Sequence, residues 1–590
     1  MNFDDPHSFS DLQQSKITHI DLQFEVDFEQ QVLAGVAQYT LDRPIQGSLF
    51  LDTYSLEIPR IHSGETDLVW EFDSSDSLLG DRLHIKDLRN EDAFTIIFRT
   101  GSGSKALQWL NPEQTAGGEH PYLFSQCQSI HARSIFPCQD TPSLRFTYDA
   151  RVSVPNPLSA VMAAAPDGKR DVNGMTVFHF KMPQRIPSYL FAIAVGNITS
   201  KDLGPRCRIY AEPEVIDAAA WEFADIETQL KEAEAHLGAY VWDRYDMLVM
   251  PPSFPFGGME NPRLTFLSPT LLVGDRSMTS IATHELAHSW TGNLVTNATW
   301  EDFWLNEGWT VYAERRLLEV LESDAYANLE ASIGYEKMLD SVEMVGMDSD
   351  LSKLKVDLRE TDPIQNVTWV PYEKGYLFLV RVEQVVGRER FDSFVKKYIE
   401  TFSFQSITTE EFLTFLKKEL PGIEDQIDLH TWVYDVGIPE DTPKFSSILM
   451  DEVNNAVNGY NEGRLPTEDE VSPWRPSQIE LFLRLLPEEI PIEDCRAIET
   501  LFHFKESRNF LLLTNFYRTA IRSGYEEVLP SVEELLASNG RMLFVNALYV
   551  ELARASWSEG QVREIFERYK SRYHPLAAMS IDRMLSREGV

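Results

Sequence analysis

The spacing of apolar residues changes near residue 198, and this change constrains the fold more than any other feature of the sequence. Upstream, apolar residues occupy every second position from Ile20 to Phe28, which is typical of a strand with one buried face. Similar short runs, separated by turn-forming clusters, recur to about residue 197. Downstream, segments such as "DIETQLKEAEAHLGAYVW" have helical spacing. We therefore predict an all-β first third and a mostly helical middle third.

A third region begins after a break in the helical pattern. Prolines and acidic residues interrupt that pattern at residues 438–446, which predicts a linker. Two capping-box patterns follow, at Ser477 with Glu480 and at Ser531 with Glu534. They predict short helices stacked as antiparallel pairs, in the manner of an α-solenoid. The expected domains are residues 1–197 (all-β), 198–440 (mainly helical) and 447–590 (α-helical).

Charge and cysteine content disfavour several classes of protein. With 53 Lys and Arg against 92 Asp and Glu, the formal net charge is -39, which opposes binding to nucleic acid or anionic membranes. The acidity favours cationic ligands or simply keeps the surface hydrated, and the sequence leaves both open. The four cysteines fit neither a disulfide framework nor a Cys-x-x-Cys metal site. Because no secretion signal and no run of roughly 18 apolar residues is present, we expect a soluble, cytoplasmic protein.

The segment 284-HELAH-288 is a candidate metal site. On a helix, His284 and His288 lie on one face, and Glu285 can reach a water molecule held by the same ion. This pattern is typical of zinc hydrolases, in which zinc takes three protein ligands and leaves one position open. Glu307, nineteen residues after His288 on a second predicted helix, is the candidate third ligand. Glu285 is the candidate general base, which takes a proton from water and returns it to the leaving amine.

A glycine-rich segment upstream is a candidate substrate-binding element. Gly257 and Gly258 allow a backbone to approach a peptide closely, and Met259 and Glu260 follow them. The Glu260 carboxylate could pair with a substrate ammonium group. From composition alone, a Gly-Gly turn before a strand is the commoner explanation. Both readings stay open at this point.

Together these motifs resemble the gluzincin zinc aminopeptidases. The segments "YLFSQCQSIHARSIFPCQDTPS", "HELAHSWTGNLVTNATWEDFWLNEGWTVYAERR" and "VPYEKG" are similar to the leukotriene A hydrolase and aminopeptidase B branch. "GRMLFVNALY" extends the resemblance into the C-terminal region. The acidic composition is also similar to that of a cold-active bacterial aminopeptidase of this branch, which implies cold adaptation. The resemblance implies an N-terminal β-sheet saddle, a thermolysin-like, mainly helical catalytic domain and a C-terminal α-helical, solenoid-like domain.

The resemblance also implies a role for each site residue. One zinc ion per chain would be bound by His284, His288 and Glu307, with Glu285 as base. Tyr372, within "VPYEKG", would donate its phenol to the oxyanion, whereas by itself it would be an ordinary packed tyrosine. The implied substrate-binding residues are Gln128, Gly257, Gly258, Met259, Glu260 and Arg541. Arg541 would hold the C-terminal carboxylate of a short peptide, and a salt bridge at a helix start is the alternative.

Four positions depart from the pattern of the hydrolase. Leu543 replaces a basic residue, Val367 replaces a tyrosine, Ile364 replaces an aspartate, and Phe256 stands where the branch often has tyrosine. These changes weaken the case for hydrolysis of a lipid epoxide and leave the peptidase residues intact.

The sequence therefore predicts a zinc aminopeptidase that acts on short peptides with a free N-terminus. It would bind neither nucleic acid nor membrane, and would be a monomer or a small homo-oligomer. The net acidity favours basic or small N-terminal residues in the substrate. A thermolysin-like endopeptidase and a non-catalytic helical scaffold remain the alternatives.

Overall fold

The computed structural model describes residues 5–558 and 560–589, except the side chains of residues 365 and 366. The first region is built from β-strands. These are β1 (Ile17–Asp27), β2 (Val32–Thr53), β3 (Leu56–Ser63), β4 (Thr66–Asp67), β5 (Val69–Asp76), β6 (Gly80–Thr100), β7 (Leu107–Leu110), β8 (Tyr122–Ser125), β9 (Phe146–Pro155), β10 (Ser159–Met162), β11 (Ala165–Val172), β12 (Met175–Ile186) and β13 (Ile193–Gly196).

A large, mostly antiparallel sheet forms the body of this region. Its strand order is β11-β12-β9-β1-β2-β6-β3-β4, and β5 pairs with β6. In β1 the side chains of Leu22, Phe24 and Val26 are buried while those of Gln23 and Glu25 are exposed, as expected from the alternating pattern. A smaller sheet has the order β10-β13-β8-β7. The predicted all-β first third is confirmed.

The middle region is mainly helical and also contains a five-stranded sheet. Its elements are β14 (Thr199–Asp202), β15 (Cys207–Ala211), α1 (Ile216–Glu222), α2 (Ile226–Leu237), β16 (Tyr245–Val249), β17 (Gly258–Met259), β18 (Thr265–Leu267), α3 (Thr279–Ala287), β19 (Val295–Asn297), α4 (Trp304–Leu321), α5 (Asp324–Val345), α6 (Gly375–Val386), α7 (Arg388–Phe402), β20 (Gln405–Ile407), α8 (Thr409–Glu419) and α9 (Leu429–Tyr434). A π-helical turn, Val370–Lys374, precedes α6.

The strand order of the middle sheet is β14-β15-β16-β18-β17, so β17 is an edge strand. The sequence analysis missed this sheet, because the residues of β16 and β18 are all buried and show no alternation. Residues 435–447 of the described chain form no helix or strand, which agrees with the linker predicted at 438–446. The predicted boundaries at 197/198 and 440/447 themselves stay predictions.

The third region is α-helical. Its helices are α10 (Ile448–Asn461), α11 (Glu468–Val471), α12 (Pro476–Leu485), α13 (Ile492–Leu501), α14 (Phe510–Arg522), α15 (Leu529–Ser538), α16 (Met542–Arg554), α17 (Val562–Tyr569) and α18 (Pro575–Arg587). Alternate helices α10, α12, α14, α16 and α18 contact each other in chain order, as stacked helix pairs do. A separate apolar core fills this region, to which α4 and α5 contribute Leu318 and Leu329.

The two predicted capping boxes are wrong. α12 begins at Pro476 with Arg475 as N-cap, and α15 begins at Leu529, so Ser477 and Ser531 lie inside the first turns. Proline is favoured in the first turn of a helix because its missing N–H has no partner there. Prolines in both first turns move the helix starts upstream of the predicted caps. Ser477 Oγ instead donates to Glu330 Oε1 of α5 (2.5 Å).

Asp302 fixes the start of α4 against its neighbours. Its side chain is fully buried and accepts hydrogen bonds from Lys355 Nζ (2.7 Å), from Thr409 N (3.0 Å) and Oγ1 (2.8 Å), and from Thr299 Oγ1 (2.8 Å). These bonds join the segment before α4 to α8 and to the chain at residue 355. A fully satisfied buried carboxylate of this kind orients the elements that it joins.

We expect Asp302→Ala to destabilise the protein by about 2–4 kcal/mol, because it leaves an ammonium group and two hydroxyls without their acceptor. The fall in the thermal unfolding midpoint measures this effect. Asp217→Ala is the control, since Asp217 is 85% exposed and forms a surface ion pair with Lys201. A comparable fall in both variants would contradict the role assigned to Asp302.

Candidate zinc centre and active site

The three predicted metal ligands converge between α3 and α4. His284 lies one turn before His288, which caps the C-terminus of α3, so both rings project from one face. Their Nε2 atoms are 3.1 Å apart. Glu307 Oε2, in the first turn of α4, lies 3.4 Å from Nε2 of His284 and 3.5 Å from Nε2 of His288. The three ligand atoms therefore form a nearly equilateral triangle.

This triangle fits a tetrahedral zinc ion. Zinc–ligand bonds of about 2.0–2.1 Å place two ligand atoms about 3.3 Å apart, close to the three distances found here. Glu307 Oε2 is buried and has no hydrogen-bond partner among the described residues, so its charge requires a cation. Two imidazoles and one carboxylate are also the donor set of catalytic zinc, which keeps a fourth position for water or substrate.

Further residues orient the two histidines. His284 Nδ1 lies 3.0 Å from Glu314 Oε2, and His288 Nδ1 lies 3.1 Å from the Thr291 carbonyl oxygen and from Thr310 Oγ1. Such partners fix the tautomer and ring orientation of a ligating histidine. The sequence analysis missed Glu314. Its position seven residues after Glu307, on the same face of α4, is the signal that could have identified it.

Glu285 faces the edge strand β17. Its carboxylate is buried, and Oε2 has no hydrogen-bond partner among the described residues. A Cβ placed on Gly258 would lie 2.2 Å from Glu285 Oε1, so only glycine at this position leaves room for the carboxylate. Burial raises the pKa of Glu285 well above its usual value. An unpartnered carboxylate with a raised pKa is suited to exchange protons with water and with a leaving amine.

The glycine-rich segment forms the edge strand β17 of the middle sheet. A Cβ placed on Gly257 would lie 2.6 Å from Arg541 Nη2, so this glycine makes room for the guanidinium. Met259 is buried and receives a contact from Gln126 Nε2 (3.3 Å to Sδ). Gln126, which the sequence analysis did not single out, thus joins the chain after β8 to β17. An edge strand of this kind can pair with an extended peptide through backbone hydrogen bonds.

Glu260 and Gln128 are buried polar groups with unused hydrogen-bonding capacity. Glu260 Oε1 and Gln128 Nε2 have no hydrogen-bond partner among the described residues. One carboxylate oxygen of Glu260 lies within 4.8 Å of ligand atoms of Glu285 and His288. Burial, together with the nearby Glu307 carboxylate, raises the pKa of Glu260 to about 8. A cationic, hydrogen-bonding ligand would satisfy these groups.

Tyr372 lies beside the ligand triangle, in the π-helical turn Val370–Lys374. Its ring stacks on that of His284, with centroids 6.3 Å apart, and meets the Phe303 ring edge-on at 6.1 Å. Burial raises the pKa of the Tyr372 phenol, and the Glu307 carboxylate raises it further. The phenol therefore stays protonated and can act as a hydrogen-bond donor. π-helical turns are frequent at functional sites.

Arg541, the N-cap residue of α16, brings a buried cation to the same cleft. Nη1 donates to Thr270 Oγ1 (3.1 Å), and the guanidinium lies 4.8 Å from the centre of the Phe544 ring. Burial lowers the pKa of Arg541 to about 10. Arg541 has no salt bridge to any described carboxylate, so the alternative of a salt bridge at the helix start is not observed. An unpaired buried guanidinium suits an anionic ligand such as a carboxylate.

A mainly apolar pocket adjoins Tyr372. Its lining residues are Ser129, Trp300, Glu301, Phe303, Leu351, Leu354, Val356, Leu358, Pro363, Val367, Thr368 and Pro371. Phe303 contacts Tyr372 directly, and Pro371 precedes it in the chain. The sequence could not predict this pocket, because its residues come from four separate segments. Val367, one of the four departures from the hydrolase pattern, lines it.

Comparisons with known proteins cover nearly the whole chain. Residues 16–190 match the Peptidase M1 N-terminal domain, residues 221–432 match the Peptidase family M1 domain, and residues 474–585 match the C-terminal domain of leukotriene A4 hydrolase. Leukotriene A-4 hydrolase of Xenopus laevis is 38% identical over 602 residues, and leucine aminopeptidase 2 of Aspergillus terreus is 35% identical over 605 residues. Each alignment covers 98% of both chains.

Solved structures give the same result. Yeast LTA4 hydrolase in complex with bestatin superposes with a TM-score of 0.91 at 32% identity, covering 99% of this chain and 97% of that one. The resemblance inferred from the motifs and the predicted three-domain fold are both confirmed. With its ligand triangle, its edge strand and these relatives, the chain belongs to peptidase family M1, and it is a zinc-dependent hydrolase that carries the C-terminal domain of the leukotriene A4 hydrolase branch.

Proposed function

We propose that this protein is an aminopeptidase that releases single residues from short peptides with a free N-terminus. The observation that carries the proposal is the buried carboxylate of Glu260, which follows the edge strand β17 beside the ligand triangle and whose Oε1 has no hydrogen-bond partner among the described residues. An ammonium group is the natural partner for such a carboxylate. The relative named leucine aminopeptidase 2 supports the same activity.

Glu285 and Tyr372 would be the two side chains that take part directly in hydrolysis. Bound by His284, His288 and Glu307, zinc supplies Lewis-acid polarisation of the scissile carbonyl and lowers the pKa of water. Glu285 takes the proton from the attacking water and returns it to the departing amine. The Tyr372 phenol donates a hydrogen bond to the oxygen on which negative charge develops.

The remaining site residues would orient the peptide. The backbone of Gly257, Gly258 and Met259 pairs with the extended substrate, and no side chain blocks its approach at the two glycines. Glu260 and Gln128 bind the ammonium group at one end. Arg541 binds the carboxylate of a short peptide at the other end. Because both ends of the peptide are bound, the substrate would be limited to a few residues in length.

Neither alternative from the sequence is favoured. An endopeptidase binds a substrate whose chain continues past the site, and it has no ammonium group to neutralise Glu260. A non-catalytic scaffold has no need of a ligand triangle with an unpartnered carboxylate at Glu285. Family membership also favours an enzyme.

The pocket beside Tyr372 favours an apolar side chain at the substrate N-terminus. Its lining is mostly aliphatic and aromatic. Among the described lining residues only Glu301 is ionisable. Burial raises its pKa, and Lys355 Nζ lies 3.7 Å from its carboxylate. We therefore replace the preference for basic or small residues, inferred from net acidity, with a preference for leucine-like residues.

The positions that differ from the leukotriene A hydrolase pattern favour hydrolysis of peptides over hydrolysis of a lipid epoxide. Val367 lines the pocket and has no hydrogen-bonding group, and Ile364 has none either. A lipid epoxide needs polar groups to direct water to one carbon, and these two positions do not supply them. We propose that the peptidase residues alone carry the activity.

The cellular setting also stays a proposal. All four cysteines are buried free thiols, which supports a reducing compartment such as the cytoplasm. No helix in the described part of the chain is long and apolar enough to cross a membrane. Short peptides are the proposed partners, nucleic acid is not expected to bind the acidic surface, and the chain is proposed to be a monomer or a small homo-oligomer.

We expect one zinc ion per chain and loss of activity when a chelator removes it. Glu307→Ala should weaken zinc binding, whereas Glu285→Gln should retain zinc and lose hydrolysis of leucyl-p-nitroanilide. Metal analysis of the purified variants measures both effects. His19→Ala is the control, because His19, Asp21 and Asp149 form a second, half-exposed group of potential ligand atoms. If the His19→Ala variant loses zinc and the Glu307→Ala variant keeps it, the assignment of His284, His288 and Glu307 as the zinc ligands is contradicted.

We expect acetylation of the peptide N-terminus to abolish cleavage, since an amide has no charge to pair with Glu260. Glu260→Gln should lower kcat/KM for free peptides by about 10-fold to 100-fold, the value of a hydrogen bond to a charged group. Its zinc content should not change. Internal cleavage of acetylated peptides by the wild-type protein, at rates comparable to those for free peptides, would favour the endopeptidase instead.

We expect leucyl substrates to be cleaved with a kcat/KM at least about 10-fold higher than alanyl or lysyl substrates, because a filled apolar pocket discriminates by this order. Val367→Asp should reduce the preference for leucine over lysine. Val436→Asp is a matched control, since both valines are similarly exposed, at 38% and 39%, and Val436 lies outside the pocket. An unchanged preference in Val367→Asp would refute the assignment of this pocket.

A further inference from the structure

α4 crosses the junction between the π-helical turn and α6 at two glycines, Gly308 of α4 and Gly375, the first residue of α6. A Cβ placed on Gly308 would lie 2.7 Å from Gly375 Cα, and one placed on Gly375 would lie 2.8 Å from Gly308 Cα. No side chain separates the two backbones at this point. Gly308 directly follows Glu307, and Gly375 comes three residues after Tyr372. The crossing therefore connects the third metal ligand to the phenol.

A buried ion pair joins the same two elements two turns further along α4. Arg315 Nη1 donates to Glu373 Oε2 and Nη2 donates to Oε1, both at 2.7 Å. The two side chains are 8% and 5% exposed. A bidentate ion pair of this kind fixes the orientation of the two side chains as well as the distance between them. Because Glu373 is the residue next to Tyr372, fixing Glu373 constrains the backbone that carries the phenol.

A glycine in the middle of α5 makes room for this pair. A Cβ placed on Gly334 would lie 2.3 Å from Arg315 Nη2 and 2.4 Å from Glu373 Cδ. Glycine is unfavourable in a helix interior compared with alanine, so α5 itself does not explain its presence. The guanidinium also lies 4.1 Å from the centre of the Tyr376 ring. α5 and α6 thus pack against the ion pair that joins α4 to the π-helical turn.

We propose that Arg315 and Glu373 are positioning residues that hold the Tyr372 phenol where the oxyanion forms. The inference rests on the proposed role of Tyr372 as the oxyanion donor. α4 carries Glu307 and, two turns later, the adjacent residues Glu314 and Arg315. A single helix therefore positions a metal ligand, the partner of His284 and the residue that holds Glu373. Both residues of the pair act through Tyr372 and do not act on the substrate directly.

A positioning role and a purely structural role have different consequences. A purely structural pair would contribute stability, and the molecules that remain folded would keep their full rate. A positioning pair sets a distance to the reacting atoms, and an error of about 1 Å can cost about 100-fold in rate. Its loss should therefore lower kcat in fully folded, zinc-loaded enzyme, and only while the phenol is present.

The test is a double-mutant cycle of Glu373→Gln and Tyr372→Phe, measured with zinc-loaded protein on leucyl-p-nitroanilide. Tyr372→Phe should lower kcat by about 100-fold to 1,000-fold. Glu373→Gln should lower kcat by about 10-fold to 100-fold, with KM changed by less than about threefold. Added to Tyr372→Phe, Glu373→Gln should cost less than about twofold more, because no phenol remains to be positioned.

Two further variants keep both charges in case Glu373→Gln does not fold. Glu373→Asp shortens the side chain by one methylene. Arg315→Lys retains the positive charge but loses the planar guanidinium that donates two parallel hydrogen bonds. Both should show the same non-additivity with Tyr372→Phe. Glu551→Gln is the matched control, since Glu551 is a carboxylate 4% exposed and held by Arg518 and Arg522 in the third region. It should lower the unfolding midpoint and keep kcat.

The outcomes separate this inference from the proposed function. If the Glu373 variants lower kcat by the same factor with and without the phenol, or lower only the unfolding midpoint, the inference is overturned and the aminopeptidase proposal stands. If Tyr372→Phe retains wild-type kcat, the oxyanion role fails and the inference fails with it. If the wild-type protein hydrolyses no aminoacyl substrate, the proposed function itself is wrong.

Discussion

Three carboxylates buried around one point are the constraint on which the rest of the site depends. Glu260, Glu285 and Glu307 approach one another in a volume that excludes most water, and burial raises the pKa of Glu260 and Glu285. Desolvated like charges this close destabilise a fold unless cations or protons compensate them. In the proposed reaction, the metal ion neutralises the negative charge of Glu307 and the substrate ammonium group neutralises that of Glu260. Glu285 exchanges a proton with water and with the leaving amine. In that proposed reaction, the need to compensate buried negative charge would also favour substrates with a free amine.

All three regions of the chain contribute residues to this site. Backbone hydrogen bonds fix the position of the third region relative to the middle region. Gly540 N donates to the Pro252 carbonyl (2.7 Å) and Met542 N donates to the Pro255 carbonyl (2.8 Å), so the third region is bound to the segment that leads into β17. Arg541, between these two donors, is thereby placed against Gly257. Because backbone hydrogen bonds fix this contact, the arrangement of the domains sets the distance between Arg541 and Glu260, the two residues proposed to bind the ends of a peptide.

Local patterns predicted the features that depend on a few adjacent residues. His284 and His288 could be predicted as ligands because four residues is one turn of a helix, and Glu307 became a candidate through its combination with that motif. Gln128 and Arg541 followed only from the resemblance. The same local reasoning failed at Ser477, because α12 begins at Pro476 with Arg475 as N-cap, two residues earlier than the capping pattern indicated. It also missed the middle sheet, because strands buried on both faces lack the alternation that identifies a strand.

The sequence by itself determined the kinds of ligand atom, the order of β and helical regions and the family to which the chain belongs, because spacing over a few residues and motif identity encode them. Only the tertiary structure decided that Glu314 orients His284, that Arg315 pairs with Glu373 and that an apolar pocket adjoins Tyr372. These features join residues that lie 30, 58 and more than 200 positions apart. Their distances depend on how α3, α4, α5 and the π-helical turn pack against one another, and no local pattern records that packing.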